Sequence, residues 1–274
     1  MEIKESFAVP AHTGYIKSVT SCPRFLVSGG TDETVRIFDL KKRRDVGSLS
    51  QHDGAVSALA FAGTSHLLTG GDDGRIGLFR IKDWECLHVF KHKKVVKSLA
   101  IHPSGKVAMS VGLKKSIKVW NLMTGKVAHT GMLTVEPLRI RFSETGRYYA
   151  VLGEYEVVVW ETVGNVKVIE WRSKTRLASL EFLRDERVYV AGEGSLVQVI
   201  YISDGGERVL AMETGQKPRI KDLSILCSNG SPSIDILVTG SSSGSIKGWS
   251  LSDNRELFSH NSGLRITCLT ASLQ

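Results

Sequence analysis

Three histidines, His12, His52 and His92, fall 40 residues apart in a chain of 274. Ser28 and Asp32 follow the first, and Thr69 and Asp73 follow the second. Hydroxyl, imidazole and carboxylate are the parts of a hydrolase triad, in which the imidazole takes the nucleophile's proton and the acid orients the imidazole. Repetition argues against that chemistry here. An enzyme needs one such site, whereas a structural bond recurs in every copy of a repeat. Other catalytic signatures are missing too. Cys22, Cys86, Cys227 and Cys268 are scattered with no C-x-x-C pair, so they read as buried free thiols in a reducing compartment and give no metal site. No Walker-type loop or paired-carboxylate cleft occurs, and the 27 glycines fall mainly in regularly spaced turns. The chain is read as a non-enzyme with no cofactor, metal or small-molecule substrate.

The elements that would position these side chains repeat with the same period. A short alternating strand is predicted at Ile16–Ser21, Val56–Phe61, Val96–Ile101, Leu138–Phe142, Leu177–Phe182, Ile220–Ile225 and Ile266–Ala271. A large apolar residue keeps step with it, at Phe38, Phe79, Trp120, Trp160, Ile200 and Trp249. Within one unit, Ala55–Phe61 alternates, His66–Gly70 continues as a second strand, and the glycine- and aspartate-rich stretch Gly71–Gly74 turns the chain. Arg75–Phe79 and Trp84–Phe90 complete four short strands in about 41 residues. That is the composition of a propeller blade, an architecture that leaves only short edges exposed.

At this level the chain resembles the WD-repeat family. Ser28–Asp39, Thr69–Phe79, Ser110–Asn121 and Thr239–Ser250 look like its second-to-third strand signature, and the three histidines stand where the family places its Gly-His histidine, without the glycine. The resemblance implies buried tetrads of histidine, strand-two hydroxyl, turn aspartate and indole N–H. His12, Ser28 and Asp32 would form one, His52, Thr69 and Asp73 a second, and His92, Ser110 and Trp120 part of a third. Phe38 and Phe79 remove the indole from the first two, and Lys114 stands where the third expects aspartate. The expected fold is all-β, a seven-bladed WD-repeat β-propeller with an incomplete closing blade, filling residues 1–274 as one domain. Blade one would cover about 12–50, two 51–91, three 92–131, four 132–171, five 172–214 and six 215–259. Blade seven would join 260–274 to 1–11, with Ile3–Val9 as its outer strand and Ile266–Ala271 as its inner one.

Several stretches are more particular. Lys82–Leu87, Leu99–Lys106, Thr31–Lys42 and Arg265–Leu269 resemble the Pak-kinase-interacting WD-repeat proteins. That likeness implies a scaffold in assembly of the large ribosomal subunit, located in the nucleus and nucleolus, with pre-ribosomal proteins, assembly factors and rRNA backbone as partners. It also implies an alternative, an adaptor that binds and restrains a p21-activated protein kinase.

Charge agrees with an anionic partner: the net formal charge is +8 and the pI about 9.3. No apolar run approaches the ~18 residues of a membrane span, so no membrane partner is expected, and no secretory signal is visible at the start. The basic residues concentrate in the loops that join strand two to strand three and one blade to the next. These are Lys91, Lys93, Lys94, Lys114 and Lys115 in blade three, Arg172, Lys174 and Arg176 in blade five, and Lys217, Arg219 and Lys221 in blade six. Blades one and two offer acids there instead: Asp32, Glu33, Asp53, Asp72 and Asp73. At the other end of the strands, Lys41, Lys42, Arg43 and Arg44 make a second basic cluster, and Tyr15 is the best candidate to stack on a base.

Overall fold

The computed structural model describes residues 8–227 and 235–272. Its strands make six four-stranded sheets, each ordered as the chain runs. The first holds β1 (Ile16–Ser21), β2 (Phe25–Gly30), β3 (Val35–Asp39) and β4 (Arg44–Leu49). The second holds β5 (Val56–Ala62), β6 (His66–Gly71), β7 (Arg75–Arg80) and β8 (Glu85–Lys91). In the third are β9 (Val96–Ile101), β10 (Val107–Gly112), β11 (Ser116–Asn121) and β12 (Lys126–Met132). The fourth comprises β13 (Arg139–Phe142), β14 (Tyr148–Leu152), β15 (Glu156–Glu161) and β16 (Val166–Arg172). Next come β17 (Leu177–Leu183), β18 (Arg187–Gly192), β19 (Leu196–Tyr201) and β20 (Val209–Glu213). The last sheet is β21 (Ile220–Leu226), β22 (Ile236–Ser241), β23 (Ser245–Ser250) and β24 (Glu256–Asn261).

Sequence and position agree within each sheet. Second strands are largely buried on both faces, and β14 reads as a continuous apolar run, with Tyr148–Leu152 buried throughout. Fourth strands form the outer edge. Lys126–Met132 is exposed along nearly its whole length, and most of its residues are polar or small. Between neighbouring sheets, a glycine in strand two makes room for the next sheet's first strand. A Cβ at Gly29 would lie 2.7 Å from Val56, and one at Gly70 would lie 2.8 Å from Val96.

The chain falls into two compact units, one of Val9–Phe142 and one of the described residues from Ser143 on. In the first, Val27, Ile37, Val56, Leu67 and Phe79 pack sheet one on sheet two, and Leu68, Ile76, Val96, Leu99 and Trp120 pack sheet two on sheet three. In the second, Leu152, Val157, Leu180 and Val188 join sheets four and five, while Val197, Ile220, Leu223 and Leu237 join five and six.

This is a WD-repeat propeller of six blades, which corrects the seven-bladed ring with an incomplete closing blade. Ile266–Ala271 is not a strand. Its side-chain pattern has a structural basis, because Ile266 rests 3.2 Å from where a Cβ on Gly240 would stand, as Val56 does over Gly29. Its backbone, however, pairs with side chains. Leu269 N–H donates to Asp222 Oδ2 at 2.8 Å and Ala271 N–H to Ser224 Oγ at 3.0 Å, so no ladder forms. The expected outer strand Ile3–Val9 lies, up to Phe7, outside the described residues, and Ala8 and Val9 belong to no strand.

Candidate functional site

Each histidine precedes the first strand of its sheet and turns its ring against strand two. In sheet one, His12 Nδ1 meets the Asp32 carboxylate at 2.9 Å and Nε2 meets Ser28 Oγ at 2.8 Å. Burial works against the Asp32 charge, but bonds from His12, Thr13 N–H and Thr34 outweigh it and hold the carboxyl down at about 2. Sheet two repeats the clamp, with His52 Nδ1 to Asp73 at 3.1 Å and Nε2 to Thr69 Oγ1 at 2.8 Å. Burial again opposes the charge on Asp73. Bonds from Arg75 N–H, Asp53 N–H and His52 win, and its carboxyl lies below the usual range.

These sets have triad-like connectivity, yet the hydroxyls are sealed: Ser28 is 3% and Thr69 0% exposed. No substrate carbonyl reaches a nucleophile inside strand two, so the geometry holds the loop after that strand in place.

Sheet three solves the same problem without an acid. Trp120 Nε1–H donates to Ser110 Oγ at 2.8 Å, and Ser110 Oγ meets His92 Nδ1 at 2.7 Å. On the other side His92 Nε2 meets Ser116 Oγ at 2.8 Å, and Ser116 donates on to Leu113 O at 3.0 Å. One direction satisfies the whole chain. Ser110 accepts from the indole and donates to Nδ1, and Nε2–H donates to Ser116, which assigns the neutral Nε2–H tautomer. Burial, then Lys118 and Lys94, pull the His92 pKa down to about 4. Sheet six carries a version that the repeat template did not reveal. Gln216 Oε1 accepts from Thr239 Oγ1 at 2.6 Å, its Nε2 donates to Ser245 O at 2.9 Å, and Trp249 Nε1–H donates to Thr239 at 3.2 Å. Thr239 is a strand-two hydroxyl 10 residues before an indole, the spacing seen in Ser110 and Trp120.

Where the third clamp lacks its carboxylate, the surrounding loops are cationic. Lys91, Lys93, Lys94, Lys114 and Lys115 are all exposed. Beneath them is Lys118, which the loop-based sequence reading passed over because it lies in a strand. Its Nζ donates to Lys91 O at 3.0 Å and stands 5.4 Å from the Trp120 ring. Its pKa is depressed by burial and then by Lys93, so these charges share one field. One acid tempers the group: the Glu136 carboxylate accepts from Lys114 N–H at 2.9 Å and Lys115 N–H at 3.0 Å.

The second unit has its own cluster. Arg219 and Arg265 line a cavity of about 540 Å³ with Glu193, Pro218 and Ser242. Lys221 is pushed down by burial and then by Arg219 and Arg265. Arg265, which opens the Arg265–Leu269 stretch, is not among the basic loop residues singled out from the sequence, although it stands directly before Ile266. Lys217 is exposed beside this cavity in the chain. Lys174 is exposed as well, but its neighbours are engaged: Arg172 lies 3.4 Å from Glu156, and Arg176 lies 2.8 Å from Glu154. Tyr15 is 79% exposed, with its backbone tied to Thr31 in both directions. Lys41, Lys42, Arg43 and Arg44 project from the turn into β4, at the opposite end of the strands from the histidine clamps.

Comparison with known proteins fits this anatomy. The WD domain, G-beta repeat, matches residues 4–39, 43–80 and 84–121. A p21-activated protein kinase-interacting protein 1-like protein of Gallus gallus is 32% identical over 99% of this chain and 74% of its own length. The Homo sapiens p21-activated protein kinase-interacting protein 1 is 34% identical, over 96% of this chain and 67% of its own. Protein MAK11 of Saccharomyces cerevisiae is 30% identical over 96% and 74%. With six blades, histidine clamps inside three of them and relatives aligned along nearly all its length, the chain belongs to the WD-repeat family of the p21-activated protein kinase-interacting protein 1 proteins.

Proposed function

We propose that this protein is a non-enzymatic scaffold in assembly of the large ribosomal subunit, acting in the nucleus and nucleolus through protein contacts and rRNA backbone. The cationic loops carry this reading. Lys93 and Lys94, without a carboxylate in their clamp, and Arg219 and Arg265 at a cavity with Lys221 in their field, each raise the local potential by mutual proximity. Such groups neutralise phosphates and release counterions, so binding weakens steeply with salt. Readout is of charge and shape, since Tyr15 is the one aromatic candidate proposed to meet a base.

Affinity purification at two salt concentrations, read by RNA sequencing and mass spectrometry, is the test. Precursor rRNA and assembly factors recovered at low salt and lost at high salt are the expected result. A second reading is favoured by the names of the human and chicken relatives: an adaptor for a p21-activated protein kinase. Recovery of a kinase regulatory domain, insensitive to salt and without rRNA, would replace the first reading with the second.

A further inference from the structure

The turn between the third and fourth strands makes the same demand in all six sheets, and two sheets answer it unusually. Five residues after the aromatic or apolar marker of strand three, the backbone is left-handed every time: at Arg43, Trp84, Gly125, Asn165, Gly205 and Asn254. Four of these six are glycine or asparagine, which accept positive φ at little cost. Sheets one and two instead place Arg43 at φ 51° and Trp84 at φ 59°. A tryptophan held there costs backbone energy that glycine or asparagine would avoid, so its side chain is the reason for its presence.

That side chain borders a groove of this unit, a hollow of about 1100 Å³ between the turns of sheets one and two. Trp84 is half-buried and stands edge-on to Phe25 with ring centroids 5.2 Å apart, and Arg24 covers the other ring at 4.8 Å. The charges around it are unbalanced. Its acids are already engaged: Asp39 accepts from Arg24 at 3.3 Å and from Lys42 N–H at 2.8 Å, and Asp45 lies 3.6 Å from Arg36. Arg80 is likewise taken up by Asp83 and Glu85. Lys42, Arg44 and Lys82 line the same hollow, are exposed, and make no ion pair among the described residues. An aromatic floor with exposed cations on the rim matches a chain that is acidic with one aromatic anchor.

We infer that this groove docks an acidic linear peptide of a protein partner, whose aromatic side chain lies against Trp84 and Phe25 while its carboxylates pair with Lys42, Arg44 and Lys82. This surface is independent of the rRNA reading, since it lies at the opposite end of the strands from the Lys93 and Lys94 loops. Anchoring by one desolvated aromatic with a charged rim is how interfaces concentrate their energy.

The test is fluorescence anisotropy of the full chain with a labelled Asp/Glu peptide bearing one central Phe. A Phe-to-Ser version and a single-stranded oligouridine serve as comparison probes. Trp84→Asn fits the left-handed turn, which offsets part of the packing lost against Phe25, and in the folded variant it weakens peptide binding by about tenfold or more. Lys42→Glu with Lys82→Glu, both surface changes, weakens it comparably and decides the matter if Trp84→Asn fails to fold. The Phe-to-Ser peptide binds more weakly to wild type. Equal binding of wild type and variants, equal binding of both peptides, no binding of the acidic peptide, or binding of oligouridine alone with the same Trp84 dependence would each overturn the proposal.

Discussion

Blades two and three place a histidine at the same point and hold it in opposite ways. His52 faces a carboxylate, Asp73, and lacks an indole beyond Thr69, because Phe79 stands in that place. His92 faces a serine, has its indole, and carries no charge at neutral pH because burial and nearby lysines depress its pKa to about 4. The outer surfaces differ in the same sense. Around the first the loops carry exposed Asp53 and half-buried Asp72, and around the second they carry exposed Lys93, Lys94, Lys114 and Lys115. A blade that anchors its loop with an acid spends negative charge at that end of the strands. One that anchors it with neutral hydroxyls leaves the same end free to be cationic, and the fold is kept either way.

Acid separates the two designs most strongly. For His92, whose folded pKa of about 4 lies below the ordinary 6.5, the unfolded chain binds more protons between those values. Its stabilising contribution is complete above 6.5 and declines as pH falls towards 4, by up to about 3 kcal/mol over roughly 2.5 units. Asp32, held at about 2 against an ordinary 3.8, loses its contribution only below 3.8. Urea melts at stepped pH should therefore weaken in an upper window that belongs to His92. His92→Gln, which copies the Gln216 arrangement of sheet six, should flatten that window while leaving the lower one. An unchanged upper window would remove His92 as its source.

A smaller change sharpens the comparison from the other side. Phe79→Trp offers Thr69 the indole donor that Ser110 already has, and a satisfied buried hydrogen bond is worth about 1 kcal/mol. A gain of that order in thermal or urea unfolding is expected. The ring must be accommodated beside Gly77, whose missing Cβ would lie 2.6 Å from Phe79. A loss of stability would show that the phenylalanine is chosen for packing.

Which of these features the residues alone disclose follows from the physics of each. Strand alternation marks the first strand of every sheet because one face is buried. The same alternation in Ile266–Ala271 records where Ile266 packs and says nothing of what its N–H groups meet, so a strand was expected where side chains of Asp222 and Ser224 do the bonding. Gln216 escaped notice because it differs in type from histidine and stands 23 residues before its hydroxyl partner, against 17 for His52 and Thr69. Lys118 escapes a reading of loop charges because it lies in a strand, and Arg265 stands far in sequence from Arg219 and Lys221, so only the fold brings the three into one field. Arg172 and Arg176 are indistinguishable in sequence from Lys174, and only packing brings Glu156 and Glu154 beside them. The left-handed turn at Trp84 was likewise invisible, since its significance rests on φ.

We propose that the blade with the neutral clamp presents its lysines to RNA phosphate. The most direct test is the salt dependence of RNA binding by wild type and by the chain carrying Lys93→Glu, Lys94→Glu and Lys115→Glu. If these lysines each neutralise a phosphate on a single strand, the slope of log affinity against log salt should fall by about 2 in the triple variant. An unchanged slope, with the variant folded and binding as before, would contradict the account.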